Sequence, residues 1–469
     1  MTVEKMIEAA TNEFKQMLEL SCGEAAEAPL TPAQAETITQ GIQQALGAAG
    51  RASYRAYLES KEESRDIVVA DGEIYRFKKF SPKRCTCLWG DMEVSRKLYQ
   101  NASDTKTYAP LDVAWGMVGE HLTLEVREAV AFACHLVTPE ETAALLEKTA
   151  MFHPHPTMMK RAIQEIEACV APQREEVDRR IREGEEAPEG TRVVVASLDG
   201  VNVLLNEKGP KRGRPAERPK GEDAEEPTTA YKNAMVGTVS FYGAVPDGEK
   251  CPQRLGCRYV AHMPEDKAAT FKKRFESELE DDLRLGTSSI IKVLLCDGAR
   301  SLWRYAEDNP LFDDFEKLID YWHAVEHLSL AAEALFGKGT DEAKTWYCNY
   351  AKKLKEEDHG PQSILRSMDY YAQTRTLSAT RRKDVATQRT FFRRNQAKMT
   401  YADFRRRGLP IGSGPIEAAC KTLVKTRLGR SGMRWSREGG QRILNLRTYA
   451  KSNRWNPFWQ QYKELRYAV

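Results

Sequence analysis

Apolar and polar positions follow three patterns along this chain. Two short runs are β-branched and almost free of charge: Val193-Val194-Val195-Ala196-Ser197-Leu198 and Ile290-Ile291-Lys292-Val293-Leu294-Leu295-Cys296. Such runs are expected of strands buried on both faces. Runs at 234–243 and 254–263 read as further strands beside the first, and a helix from Glu265 to about Arg284 leads into the second buried run. Two other runs, 84–89 and 92–99, flank Gly90-Asp91 and predict a β-ribbon. The remaining signal is helical. Residues 1 to about 65 are polar and Ala-rich, and Thr138-Pro139-Glu140-Glu141 is a capping box that opens a helix through Lys148. A second helix is expected from Thr157 to about Cys169, and helical spacing links Phe315, Leu318, Ile319, Trp322, Val325 and Leu328.

Both buried runs close on Asp-Gly, at Asp199 and Asp297. A buried strand that delivers a carboxylate is costly unless that carboxylate is paired or binds a metal. Asp-Gly is also a turn signal, so each Asp taken alone is open to a plain turn reading. A third acid shifts the balance. The loop Gly408-Leu409-Pro410-Ile411-Gly412-Ser413-Gly414-Pro415 opens a helix that carries Glu417 in its first turn. Oxygen ligands from separate elements suit Mg²⁺, which keeps waters or substrate phosphates as its other ligands.

Composition narrows the classes. The chain has 469 residues, enough for two or three domains, and no run of 18 apolar residues, so no membrane-spanning helix is expected. Its first residues are charged, so no signal peptide is expected, and its ten cysteines form no Cys-x-x-Cys pair. A cytoplasmic, nucleoid-associated protein is the expectation. The net charge of +3 hides an asymmetry: residues 375–469 hold 23 Lys and Arg against 5 Asp and Glu, a net of +18, which leaves about −15 for the remainder. Such polarity points to a nucleic-acid surface.

Four segments then carry a resemblance: Leu198-Asp199-Gly200, Leu295-Cys296-Asp297-Gly298-Ala299, Asp320-Tyr321-Trp322-His323-Ala324-Val325-Glu326-His327-Leu328 and Pro410-Ile411-Gly412-Ser413-Gly414-Pro415-Ile416-Glu417. In this order they resemble a DDE transposase of a bacterial insertion sequence, of the ISKra family, related to mutator-like transposases. The resemblance covers roughly 190–435 and, more weakly, 75–170. It implies an α/β (mixed α+β) fold with an RNase H-like catalytic core and a mainly helical insertion. The implied order is an N-terminal helical region (1–72), a β-ribbon region (73–120) and a helix-turn-helix-like DNA-binding region (121–175). The core (190–330), the helical insertion (331–405), the Glu-bearing helix (406–440) and a basic C-terminal segment (441–469) follow. A Pro/Gly-rich insertion at 209–227 offers Lys211, Arg212 and Arg214 as further phosphate contacts.

The resemblance further implies cleavage at insertion-sequence ends and strand transfer into target DNA, with two Mg²⁺ or Mn²⁺ ions. Asp199 would bridge the ions, Asp297 would hold one and Glu417 the other. Asp320, Trp322 and His323 match an Asp/Cys-x-x-His motif of related transposases, in which Asp320 would fix the tautomer of His323 and His323 would contact the scissile strand. The expected partners are terminal inverted repeats, target DNA and further copies of the chain. Relatives often carry a zinc knuckle after the ribbon, but Tyr99-Gln100-Asn101-Ala102-Ser103-Asp104 has no cysteine, so no zinc is expected. Candidate DNA contacts are Lys160, Arg161 and Gln164 in the helix-turn-helix-like region and Lys421, Lys425, Arg427, Arg430 and Arg434 after Glu417. Lys421 and Lys425 would line one helix face with Glu417, and Trp435 would stack a base. The alternative is a domesticated, non-cleaving DNA-binding protein on the same scaffold; its signature would be loss of an acid, and all three are present.

Overall fold

A computed structural model describes residues 2–206, 231–285 and 290–467. Lys211, Arg212 and Arg214 lie outside the described residues. The chain divides into two units, Met1–Pro172 with Trp459–Val469, and Gln173–Phe458.

In the first unit, α1 (Thr2–Glu27) packs along α2 (Pro32–Glu59), which starts at a Thr31 cap with Pro at its first position. An antiparallel sheet follows in the order β1 (Ile67–Ala70), β2 (Glu73–Cys87), β3 (Gly90–Asn101), β4 (Thr107–Tyr108). The expected ribbon is β2–β3, but it turns at Leu88-Trp89, and Gly90 and Asp91 already belong to β3. Cys85 and Cys87 share the buried face with Leu58, Met92 and Val94, as a period of two requires. Four helices complete this unit's main part: α3 (Pro110–Ala114), α4 (Leu124–Leu136), α5 (Pro139–Thr149) and α6 (Pro156–Val170). The capping box forms as expected, with Thr138 and Glu141 each accepting from the other's backbone N–H.

The second unit begins with α7 (Arg174–Glu183) and is built on a five-stranded sheet in the order β7-β6-β5-β8-β9. Its strands are β5 (Val193–Leu204), β6 (Tyr231–Tyr242), β7 (Arg254–His262), β8 (Ile291–Cys296) and β9 (Glu316–Ile319). β5, β6 and β7 pair antiparallel, whereas β5–β8 and β8–β9 are parallel. The fold is therefore mixed α and β, with a mixed sheet. One expectation is corrected here. Phe315, Leu318 and Ile319 do not belong to a helix with Trp322: Glu316–Ile319 is a strand, and its apolar pair fits a buried parallel edge as well as it fits a helix face.

Two helices flank the β8 segment, α8 (Ala269–Arg284) and α9 (Arg300–Glu307). The long stretch after β9 is helical as expected, in α10 (Tyr321–Phe336), α11 (Asp341–Glu356), α12 (Gly360–Thr374), α13 (Ala379–Asn395) and α14 (Tyr401–Arg406). Next come α15 (Gly414–Ala419), a π-helical turn at Cys420–Lys425, α16 (Thr426–Leu428), α17 (Arg437–Lys451) and α18 (Trp455–Tyr467). Residues 441–469 are not a free basic segment. α17 packs on β7 and buries Ile443, Leu444, Leu446 and Tyr449, while Arg447 and Arg454 are themselves buried. Removing this segment would therefore strip core packing as well as charge. No helix among the described residues is long and apolar enough to cross a membrane.

Phe271 and Phe275 of α8 press on β6 where Gly237 leaves room; a Cβ there would stand 2.4 Å from the Phe275 ring. Phe275 is fully buried. Phe275→Ala should lower unfolding free energy by about 3–5 kcal/mol, measured by chemical denaturation. A loss under about 1 kcal/mol would show that this contact is not part of the core.

Candidate active site

The acids meet because of how the strands end. β5 pairs with β6 along its whole length, but its pairing with parallel β8 stops at Ala196. Asp199 lies three residues beyond that point, opposite Val236 of β6, where the β8 side of β5 is open. It is thus not a turn residue: the strand continues to Leu204. Asp297 follows the last residue of β8, and Asp320 follows the last residue of β9. Carboxyl ends of adjacent parallel strands are the usual place for ligands on open sheets.

A cleft of about 130 Å³ opens there, lined by Asp199, Asp297, Asp320, His323, Glu326, Ser413 and Glu417, with Leu198 and Ile416 at its apolar wall. The three predicted acids therefore share one cleft. A larger cavity of about 730 Å³ in the first unit mixes Tyr54, Trp115 and Tyr467 with Glu125 and Glu464. The convergent acids make the smaller cleft the chemically informative one.

Each acid has a defined anchor. Asp199 Oδ1 accepts from the N–H of Gly200 at 2.6 Å, and Cys420 Sγ donates to Asp199 Oδ2 at 3.3 Å. Asp297 Oδ1 accepts from Ala299 N–H at 2.9 Å, and its backbone carbonyl accepts from Trp303 Nε1 at 2.6 Å. Burial holds the Asp297 carboxyl above its ordinary range, and the nearby Asp199 and Asp320 charges add to this. Burial likewise raises Glu417, helped by Asp320, Glu326 and Asp199. Cys420 was not foreseen. Burial, then Asp199, pushes its thiol up, so it stays a donor. A cysteine three residues after Glu417 gave no signal of that role.

The Asp320 motif differs from expectation. Asp320 is 1% exposed and is the N-cap of α10, not a residue on its face. Its Oδ1 accepts from the backbone N–H of His323 at 2.8 Å, and its Oδ2 accepts from the N–H of Ser413. Both oxygens thus serve backbone, so Asp320 does not fix the His323 tautomer. His323 keeps its place in the cleft, with Nδ1 3.7 Å from Glu326 and its ring 4.9 Å from that of His327. Trp322 is 58% exposed and lies against Gly412, where a Cβ would stand 3.1 Å from its Nε1. It covers the loop that precedes Glu417 and does not line the cleft.

The basic candidates divide. Lys421, Lys425, Arg430 and Arg434 are exposed in the same unit as the cleft. The π turn breaks the α-helical register, so Lys421 and Lys425 do not continue the line of Glu417. Arg427 is 2% exposed and stacks its guanidinium 5.1 Å over Trp435, whose Nε1 donates to Leu428 O at 3.0 Å. Both are committed to packing, which removes Arg427 as a phosphate contact and Trp435 as a base platform. Arg447, buried and lowered to about 10 by that burial, donates to the carbonyls of Leu423 (2.7 Å) and Thr422 inside the π turn. In the first unit, Lys160 pairs with Glu140 at 2.7 Å, Arg161 pairs with Glu165 at 2.6 Å, and Gln164 is exposed. Two of these three cations and amides are thus engaged within a packed helical hairpin.

Among the described residues, no group of three His, Cys, Asp or Glu side chains is arranged around one ion. Two ions that share Asp199 need only two protein acids each, with the remaining ligands from water and phosphate. The donor set fits hard divalent cations, since mutual repulsion and burial already disfavour charge on Asp297 and Glu417. No family model matches the chain, and no curated protein matches it.

A carboxyl raised on folding favours the protonated folded state. Its stabilising contribution is complete below the ordinary carboxylate range and is lost as pH rises through the raised value. Asp297→Asn should therefore raise the melting temperature of the metal-free protein at pH ~7, with the gain vanishing near pH ~4. Mg²⁺ should stabilise the parent chain more than this variant. Scanning calorimetry reads both effects, and a lower melting temperature for Asp297→Asn at pH ~7 would contradict them.

Proposed function

We propose that the chain is a DDE transposase with an RNase H-like catalytic core, resembling the ISKra family, and that the acid cleft cuts and joins DNA strands. The observation that carries this reading is that Asp199, Asp297 and Glu417 line one cleft although 98 and 120 positions separate them in turn. The sheet supports it as well: three antiparallel strands are continued by two parallel ones, with the first acid on the central strand.

Asp199 and Asp297 would hold one divalent cation, and Asp199 and Glu417 a second, together stabilising charge on the attacking and leaving oxygens. The protein's own groups do the rest. Asp199 is fixed by Gly200 and Cys420, Asp297 by Ala299, and the Asp320 clasp holds the loop before Glu417. Water attack at phosphorus forms one P–O bond and breaks the P–O3′ bond, leaving a 3′-hydroxyl and a 5′-phosphate. That 3′-hydroxyl then attacks a phosphorus of target DNA, again forming one P–O bond and breaking one. His323, half-exposed beside Asp297, is placed to donate to a phosphate oxygen of the scissile strand.

With a duplex bearing the ends of its own element and Mg²⁺, the chain should release 3′-hydroxyl strands. Asp199→Asn, Asp297→Asn and Glu417→Gln should each slow this by roughly a thousandfold or more, while end binding persists because phosphate contacts lie elsewhere. Substantial cleavage by Asp297→Asn would remove the assignment. His323→Ala should slow cleavage at least about tenfold with an unchanged melting temperature; a lower melting temperature and normal cleavage by the folded fraction would make His323 a packing residue.

A further inference from the structure

The helical insertion carries charge that the acid cleft does not use. Some cations of this stretch are paired: Arg375 with Glu342 at 2.8 Å, Arg389 with Asp369, Lys398 with Glu307 at 3.1 Å, and Arg406 with Asp358 at 2.8 Å. Arg382, Lys383, Arg393 and Arg394 of α13 are exposed and form no ion pair with any described residue.

These four share one side of the helix. At 3.6 residues per turn, Arg382, Arg393, Lys383 and Arg394 fall within an arc of about 120°. Ala386 and Thr390 lie between them, and the opposite side buries Val385, Gln388, Phe392 and Asn395. The stripe runs about 18 Å, the axial rise of roughly five base pairs. No large apolar side chain interrupts it, so it lacks the anchor that a protein partner would bury. At the edge of the buried side, Phe391 stacks on His327 with centroids 3.6 Å apart. The same ring lies where a Cβ on Gly298, next to Asp297, would stand 2.5 Å away. The helix that bears the stripe is therefore anchored to the segment that bears the second acid.

We propose that this face of α13 binds the phosphate backbone of duplex DNA and leads it toward the acid cleft. Arg382 and Lys383 contact phosphates at one end of this face and Arg393 and Arg394 at the other, about 15 Å along the helix, and the small side chains between them let the backbone approach. The choice of DNA as partner rests on the function proposed above.

The test is duplex DNA binding by the full chain in EDTA, followed by fluorescence anisotropy across a salt series. It compares the parent chain, the R382Q/K383Q/R393Q/R394Q variant, and R375Q/R406Q as a control at paired cations. Each lost phosphate contact flattens the slope of log affinity against log salt by about 0.9. The fourfold variant should lose about 2 to 3.6 units of slope and the control less than about one. Should the fourfold variant melt lower than the parent, R382Q and R394Q singly should each still flatten the slope. A fourfold variant with the slope of the control overturns the proposal and leaves α13 a solvated face. Because binding is read without metal, the two readings separate. A flattened slope with normal cleavage by Asp297→Asn keeps the surface and removes the cleft assignment. An unchanged slope with cleavage lost in that variant does the reverse.

Discussion

The carboxylate of Asp320 ties the structure together. One oxygen accepts from His323 at the start of α10 and the other from Ser413, 93 residues later, just before the helix of Glu417. Tyr321 N–H adds a bond to Ile411 O at 3.0 Å, and Asp320 N–H bonds Cys296 O at 2.8 Å beside Asp297. A chain that leaves the sheet for four long helices must return to a defined place. Buried charge-assisted bonds to backbone N–H groups are strong enough to set that place. The clasp acts together with the buried packing of Ile416 and Ala419 and the Cys420–Asp199 bond to hold Glu417 by Asp199 and Asp297.

Around the clasp, repulsion is balanced rather than avoided. Asp199, Asp297, Asp320, Glu326 and Glu417 share a small cleft, and Asp297 and Glu417 are raised by burial and by their neighbours. Backbone N–H groups and the Cys420 thiol stabilise the acids only in part. Sites that hold unfavourable charge in this way are typical of groups awaiting a cation or substrate. Arg447 supports the same wall from behind, donating to the Leu423 and Thr422 carbonyls of the π turn. Its burial is why the basic excess of the last 95 residues is not all surface.

Much of this was legible in the sequence. The runs ending in Asp199 and Asp297 read as buried strands, and the Gly/Pro loop correctly announced a helix with Glu417 in its first turn. The local reading erred where two periods coincide: Phe315, Leu318 and Ile319 fit a helix, but four residues beside β8 form a strand. Burial of charge was also invisible, because Arg427 stacks on Trp435 and Arg447 reaches back to the Leu423 carbonyl only once the chain has folded. The same holds for Asp320, whose second partner is supplied by the loop at Ser413 and whose role as a cap displaced the tautomer reading of His323.

The central claim is that these acids hold two cations for phosphoryl transfer. Electron paramagnetic resonance of Mn²⁺ bound to the protein–DNA complex tests it most directly. The account predicts two exchange-coupled ions about 3.5–4 Å apart, with the coupling lost in Asp199→Asn. Uncoupled single ions, or a coupled pair that survives loss of the Asp199 carboxylate, would contradict it.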